Sequence, residues 1–313
     1  MRSFFVITPI IENLRKSPQV LVENKISFAG PESELSIYDT YQQAERVKLK
    51  SDQLLFCAMV SGKKVMHSTE GSAEGESFDS DFLPQESFIM TPDSSVEIDF
   101  PNAKPSQPTT CLAIEISSDR INQVAASLNA KQPLNKEFGH WQYQHKLLHT
   151  QHNNETQGLL NRIVQMYGEN HPDRSAMIAL AVSELTIRLL HHQTRDFILS
   201  FSATQPDHNG LTAVLDFIQL HLNEQLDVDE LARMACMSRT KFFTEFKQHL
   251  GCSPIAFQLQ SRLKKAAVMI KNGENITTSC FALGFTNSSH FSRTFKQFYG
   301  FSPSQYKKRY LNS

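Results

Sequence analysis

The 313-residue sequence has no apolar run near the ~18–20 residues that a membrane-spanning helix needs. The apolar stretch in MRSFFVITPIIENLRK is too short for a signal-peptide core, and no small-residue cleavage site follows it. Five cysteines, at positions 57, 111, 236, 252 and 280, are odd in number, scattered and never spaced as CxxC. This argues against a disulfide framework and a zinc knuckle, and a reduced, cytoplasmic setting is expected. GxSxG, GxGxxG and P-loop patterns are missing, so hydrolase and nucleotide-fold readings have no support. Residues 1–139 hold a single histidine, His67. A metallo-oxygenase barrel needs two or three, with a carboxylate. Neither an enzyme nor a cofactor is expected.

Net charge is also nearly absent, at -1, but it is unevenly divided. Residues 210–313 carry 13 basic and 7 acidic side chains, whereas residues 1–209 carry 18 and 25. From Arg233 onward only Glu245 and Glu274 oppose the 13 basic residues. A basic third in a neutral chain suggests a polyanionic partner for that third. A solvated basic face is the plainer alternative.

Short apolar runs bounded by Gly, Pro, Ser and Asp lie at 54–60, 87–92, 96–100 and 110–116, and residues 1–139 read mostly as strands. Segment 68–81, with five acidic residues and no basic one, reads as a hairpin loop. Three prolines in 101–108 predict a second loop. Strands at this spacing suggest a small barrel or sandwich over about 20–120. From about 142 to 195 the period becomes helical. Leu159, Leu160, Ile163, Val164 and Tyr167 form one stripe, and Ile178, Leu185 and Leu189 form another. Pro172 and Asp173 separate the two. These helices either cover the barrel, or form a dimer seam, or both.

His145, His149 and His152 would share one helix face, with His140 nearby. Such spacing can hold zinc, but Gln142, Gln144 and Gln151 favour a plain polar face. His191 and His192 are read as dipole partners at a helix end. Cys57 and Cys111 read as buried structural thiols on neighbouring strands. FSATQPDHNG (201–210) reads as the linker between a domain at 1–200 and another at 211–313.

The last third contains a repeat. DVDELARMACMSRTKFFTEFK (227–247) and NITTSCFALGFTNSSHFSRTFK (275–296) each read as a short helix, a tight turn and a second helix ending in Phe-Lys. Asp227 and Glu230 have capping-box spacing, and Gly284 suits a turn. Ser238 and Ser288, 50 positions apart, suit the start of the next helix. Two such units make a paired helix-turn-helix reading much more specific than one. In the second, Phe291, Phe295 and Phe298 face the core. Ser289, Arg293 and Lys296 point outward, and His290 lies to the side. Arg293 can bond guanine O6 and N7, worth about 1–3 kcal/mol of discrimination, and Lys296 suits a phosphate. In the first, Phe242, Phe246 and Leu250 are buried, while Thr240, Lys241, Thr244 and Gln248 point outward. Phe243 falls at the edge of the stripe and reads as core or as a contact for a thymine methyl. The helix between the units spans ~27 Å, enough to set two recognition helices near the ~34 Å of one DNA turn.

GFTNSSHFSRTFKQFYGFSPSQYKKR (284–309) resembles the C-terminal signature of the AraC/XylS family of bacterial transcription regulators. The shared elements are Gly284-Phe285, Phe291-x-Arg293-x-Phe295-Lys296, Gly300-x-x-Pro303 and Tyr306-Lys307. Ser238, Phe242, Phe246, Lys247, Gly251 and Pro254 repeat the pattern more weakly. The resemblance implies base-facing positions at Thr240, Phe243, Thr244, Ser289, His290 and Arg293, and Lys241, outward on the helix wheel, is read as base-facing with them. DNA-backbone contacts are expected from Ser238, Arg239, Lys247, Ser288 and Lys296. Ser279-Cys280 stands where the family usually has Ile-Ala, and the first recognition helix has no Arg or Gln at its base positions. That helix is therefore expected mainly to position the protein.

The implied fold is α+β: a cupin-like β-barrel with a helical dimerisation segment, then an all-α domain with two helix-turn-helix units. The implied role is a DNA-binding transcription regulator, an activator contacting RNA polymerase, homodimeric, with a possible small-molecule effector and no membrane partner. The rival is a small-molecule-binding or enzymatic barrel whose basic domain contacts a protein. A third reading is a ligand-independent regulator whose barrel is filled by its own side chains.

Overall fold

The structure, a computed structural model, describes residues 7–15, 17–68, 78–134, 136–204 and 210–311. The chain divides into two compact units. One comprises residues up to Ala125 with Tyr143–Ile187, and the other Ala126–Gln142 with the chain from Arg188 onward. No described helix is long and apolar enough to cross a membrane.

The first unit opens with α1 (Ile7–Leu14), which the strand-dominated reading of 1–139 missed. Nine strands follow: β1 (Asn24–Gly30), β2 (Ser33–Thr40), β3 (Ala44–Lys50), β4 (Leu54–Ser61), β5 (Lys64–Ser68), β6 (Phe78–Phe82), β7 (Glu86–Met90), β8 (Ser95–Phe100) and β9 (Thr109–Ile116). All four sequence-predicted strands are present, within two residues of their expected bounds, and the proline-rich 101–108 connects β8 to β9. The predicted hairpin at 68–81 falls largely on 69–77, outside the described residues.

The strands form two antiparallel sheets. One has the order β1-β2-β9-β4-β7 and ends on β10 (Leu148–Gln151). The other has the order β3-β8-β5-β6. Val96, Ile98 and Phe100 alternate inward along β8, as the two-residue strand period requires. They meet Leu55, Met59, Phe88, Met90 and Phe82 in one core. Each such side chain contributes about 1.5–3 kcal/mol on burial. Cys57 and Cys111 face this core from neighbouring strands, as expected. Their mutual hydrogen bond, followed by burial, pushes the Cys57 thiol up. Lys64 reaches in beside the Phe100 ring at 5.0 Å and is paired with Glu23 at 3.1 Å. Arg15 bonds buried Asp39 through two nitrogens, at 2.8 and 3.0 Å. That pair pins the segment after α1 to β2.

Ser118–Lys131 is a helix, α2, with Ile121, Val124 and Ala125 buried at i, i+3 and i+4, a stripe visible in the sequence. Residues 142–153 are not helical. They run irregularly into β10, which pairs with β7, and α3 (Asn154–Gly168) starts only after the Asn153 cap. The ladder absorbs the backbone groups of β10, and the histidines are consequently separated. His149 bonds Ser80 and Glu86, at 2.9 and 3.1 Å. His152 bonds Ser87 and Gln157, at 2.5 and 3.0 Å. Among the described residues no group of three or more His, Cys, Asp and Glu is placed to hold a metal ion.

Both expected apolar stripes are buried, and the break between α3 and α4 (Arg174–Thr204) contains Pro172 and Asp173. Tyr167 bonds Ser33 at 2.6 Å, and Arg174 bonds the Ala29 carbonyl at 3.1 Å, which fixes these helices on the β1–β2 hairpin. Because α4 continues to Thr204, His191 and His192 lie inside the helix rather than at its end. His191 packs on Trp141, and burial lowers its pKa. His192 pairs with Asp196 at 3.0 Å. The expected linker at 201–210 is thus partly helical. Thr204 closes α4 and Gly210 opens α5 (Gly210–Leu220), while 205–209 lie outside the described residues. After α5 come α6 (Val228–Met234), α7 (Arg239–Leu250), α8 (Pro254–Lys271), α9 (Ile276–Ala282), α10 (Ser288–Tyr299) and α11 (Pro303–Leu311).

Candidate nucleic-acid interface

Each predicted helix-turn-helix forms, with α6–α7 as the first motif and α9–α10 as the second. Every one of the four helices is capped by a side chain. Asp227 accepts from the N–H of Asp229 at 2.9 Å, and Ser238 from that of Lys241 at 3.4 Å. Asn275 accepts from Thr277 at 2.8 Å, and Asn287 from Ser289 and His290 at 2.7 and 3.2 Å. Such a cap contributes about 1 kcal/mol. The counterpart of Ser238 is therefore Asn287, and Ser288 is the first helical residue. The first helices, capped by Asp227 and Asn275, lie 48 positions apart, and the second helices 49, not the 50 that matching the two serines gives. The same offset relates the left-handed glycines Gly251 and Gly300 that close α7 and α10. It also pairs Thr240 with Ser289, Lys241 with His290, Thr244 with Arg293 and Lys247 with Lys296.

The helix faces largely follow the predicted wheel. On α7, Phe242, Phe246 and Leu250 are buried, and Thr240, Lys241, Thr244 and Lys247 are exposed. Phe243 is half-buried with its ring 6.2 Å from that of Phe242. On α10, Phe291 and Phe295 are buried, and Ser289, His290, Arg293 and Lys296 are exposed. The third buried position is Tyr299, with Phe298 only half-buried against the same core. Arg239 is exposed but ion-paired with Asp229 at 2.9 Å, so it must leave that partner to hold a phosphate. Ser279 and Cys280 are both buried, and the Ser279 hydroxyl bonds the Asn275 carbonyl at 3.0 Å. The serine thus fits an apolar helix face without an orphaned hydroxyl.

Sequence reasoning missed two supports of this surface. Residues 126–142 belong to the same unit as the motifs. Within it, Pro133 accepts a bond from Gln248 at 2.5 Å, and the Phe138 ring meets the His249 ring at 5.3 Å. This places a strap against the C-terminal turn of α7, and Gln248 is half-buried rather than free on the outer face. No local motif marks such a long-range contact. The second support is Arg262 on α8, one turn after the buried Gln258. Its guanidinium is partly buried, and desolvation lowers its pKa.

Two family descriptions match the chain: a helix-turn-helix domain over residues 231–309, and the AraC-type transcriptional regulator N-terminus over residues 31–197. An uncharacterized HTH-type transcriptional regulator of Haemophilus influenzae is 29% identical over 154 residues, 48% of this chain and 51% of its own. The HTH-type transcriptional regulator ArgR of Pseudomonas aeruginosa is 30% identical over 134 residues, 42% of this chain and 41% of its own. The matched stretches span about half or less of these curated relatives. Among solved structures, ToxT from Vibrio cholerae aligns with 88% of this chain and 98% of its own, at 13% identity and a TM-score of 0.36. The DNA-binding domain of AdpA, solved with a target DNA, aligns with 33% of this chain and 95% of its own, at 27% identity and a TM-score of 0.32. With the N-terminal family description alone matching more than half of its length, the chain belongs to the AraC-type transcriptional regulators.

Proposed function

We propose that the chain is a sequence-specific regulator of transcription that binds double-stranded promoter DNA through α7 and α10. Its first unit senses an effector, dimerises, or does both. The observation that carries this reading is the outer face of α10. Ser289, His290, Arg293 and Lys296 stand exposed on a helix held from behind by Phe291 and Phe295. Such a helix fits the major groove, where an arginine discriminates guanine and a lysine neutralises phosphate. Thr240, Lys241, Phe243 and Thr244 face the groove from the first motif, where with no Arg or Gln they mainly place the protein, and Ser238, Arg239, Lys247 and Ser288 lie near the DNA backbone.

The family further supports an activator that contacts RNA polymerase and works as a homodimer. Leu180, 74% exposed on α4, offers an apolar anchor for a second copy. Effector control then requires that the ligand bind one arrangement of the protein better than another.

The test is selection of genomic fragments on the purified full-length protein, with Arg293→Ala in parallel. Enrichment of a short motif by wild type, lost in the variant, is the expected result. Binding must also weaken steeply with salt. A wild type that selects nothing at low salt, with and without cell extract as a source of effector, overturns the reading.

A further inference from the structure

The two motifs are joined by α8, and two of its polar side chains, one turn apart, reach into the junction between them. Gln258 is buried, and its amide donates to the carbonyls of His221 and Glu224 at 3.2 and 2.8 Å. Arg262 donates from Nε to the Leu222 carbonyl, from Nη2 to that of Glu224 at 2.8 Å, and from Nη1 to that of Gly284 at 3.3 Å. His221, Leu222 and Glu224 directly follow α5. Their carbonyls lie in the turn beyond the helix end, and that of His221 also accepts from the Glu224 N–H at 3.2 Å. Gly284 lies in the turn of the second motif. A single guanidinium therefore grips the backbone leading into the first motif and the turn of the second.

The junction is tight. Gly284 has a φ of +77°, and a Cβ there would run into the backbone of Asn223. The guanidinium also lies over the Phe285 ring at 5.8 Å. Phe285 in turn packs on Phe291 at 5.0 Å and lies 6.2 Å from the His290 ring. The contact path thus ends on the first turn of α10. Arginine suits this position because its planar fork carries five donors in fixed directions, whereas lysine offers a compact point charge.

We propose that Arg262, assisted by Gln258, is a positioning residue that fixes the separation and rotation of α7 relative to α10. It thereby sets the spacing of the two DNA segments that one chain can read. The inference rests on the DNA-binding reading above. Inserting one base pair moves the far segment by about 3.4 Å and turns it by roughly 35°. Two rigidly coupled helices cannot follow that change, whereas two loosened ones can.

The experiment uses full-length wild type, Arg262→Ala, Arg262→Lys and Gln258→Ala, each checked by circular dichroism and thermal unfolding. The probes are duplexes carrying the motif selected by wild type, with the gap between its halves changed by one or two base pairs, and a duplex carrying only the α10 half. Wild type should lose about tenfold or more per base-pair change, the size of a lost specific contact. Arg262→Ala should bind the native spacing about tenfold more weakly than wild type, yet vary by less than about threefold across the series. Its half-site affinity should stay within about twofold of wild type. If Arg262→Ala does not fold, Arg262→Lys carries the test, because a compact ammonium lacks the planar fork whose fixed donor directions reach the Leu222, Glu224 and Gly284 carbonyls together. A folded variant that keeps the wild-type spacing profile overturns the proposal while leaving DNA binding intact. So does an equal loss on the half site, which would make Arg262 only a structural support of α10. If wild type selects no DNA, the DNA-binding reading fails and this inference with it.

Discussion

The recognition helices α7 and α10 share a frame and differ in what they display. Both begin at a side-chain cap, bury aromatic rings at i and i+4, end at a left-handed glycine, and carry a lysine one position after the second ring. On the outside, α7 shows Thr240, Lys241 and Thr244, where α10 shows Ser289, His290 and Arg293. The Thr244 hydroxyl is already committed to the Thr240 carbonyl at 3.0 Å. The same backbone solution therefore carries two different displays, and the function proposed above assigns base reading to α10 and placement to α7.

The largest expected effect probes the shared frame. Phe246→Ala and Phe295→Ala each delete a fully buried ring, which typically costs about 3–5 kcal/mol. That is a large share of the ~5–15 kcal/mol holding a domain together. Urea unfolding should show similar losses for both. A loss at one site only would mean that the two frames are not equivalent.

Next comes the difference in display. Arg293→Ala should weaken specific binding by about 1–3 kcal/mol and relax one base position. Thr244→Ala, at the matched position, should change binding by less than about threefold, since a neutral hydroxyl bonded to its own helix has little to lose. Fragment selection on both variants checks this. A larger effect from Thr244 would reverse the assignment of roles.

Much of this surface was legible in the sequence because the signals are local. The aromatic stripes of Phe242–Phe246 and Phe291–Phe295 follow from helical period alone, and Ser238 is a standard cap. The 49-residue register of the second helices is not legible in the sequence, because Ser288, the residue after the true cap, matches Ser238 in type. Serine and asparagine cap equally well, so only the hydrogen bonds decide. In the first unit the runs of β4, β7, β8 and β9 were readable. The strand β10 was not, because its partner β7 lies some 60 residues away and its polar LHTQ sequence mimics a helix face. Helix α2 lacked a strong apolar run but did have the right spacing. Arg262 and the 126–142 strap act through carbonyls distant in sequence, which no local pattern encodes.

Caps provide a smaller and more symmetrical test. Ser238→Ala and Asn287→Ala should each lower stability by about 1 kcal/mol. Ser288→Ala should do less, since Ser288 is inside the helix rather than capping it. Thermal unfolding of the three variants distinguishes a 49-residue from a 50-residue repeat. Equal losses for Asn287 and Ser288 would put the cap register in question.

The smallest effect on specificity is expected at the matched lysines. Lys247 and Lys296 sit in the second half of α7 and α10, both exposed, and the proposed function assigns them to phosphate rather than to base edges. Replacing either with alanine removes one neutralised phosphate, so the slope of log K against log salt should fall by about one. The loss should be uniform across DNA sequences, leaving the selected motif unchanged. The double variant should lose about two units of slope if both helices touch DNA at once. If only Lys296 changes the slope, α7 does not lie against the backbone in the complex. The division between a reading helix and a placing helix would then give way to a single docked helix.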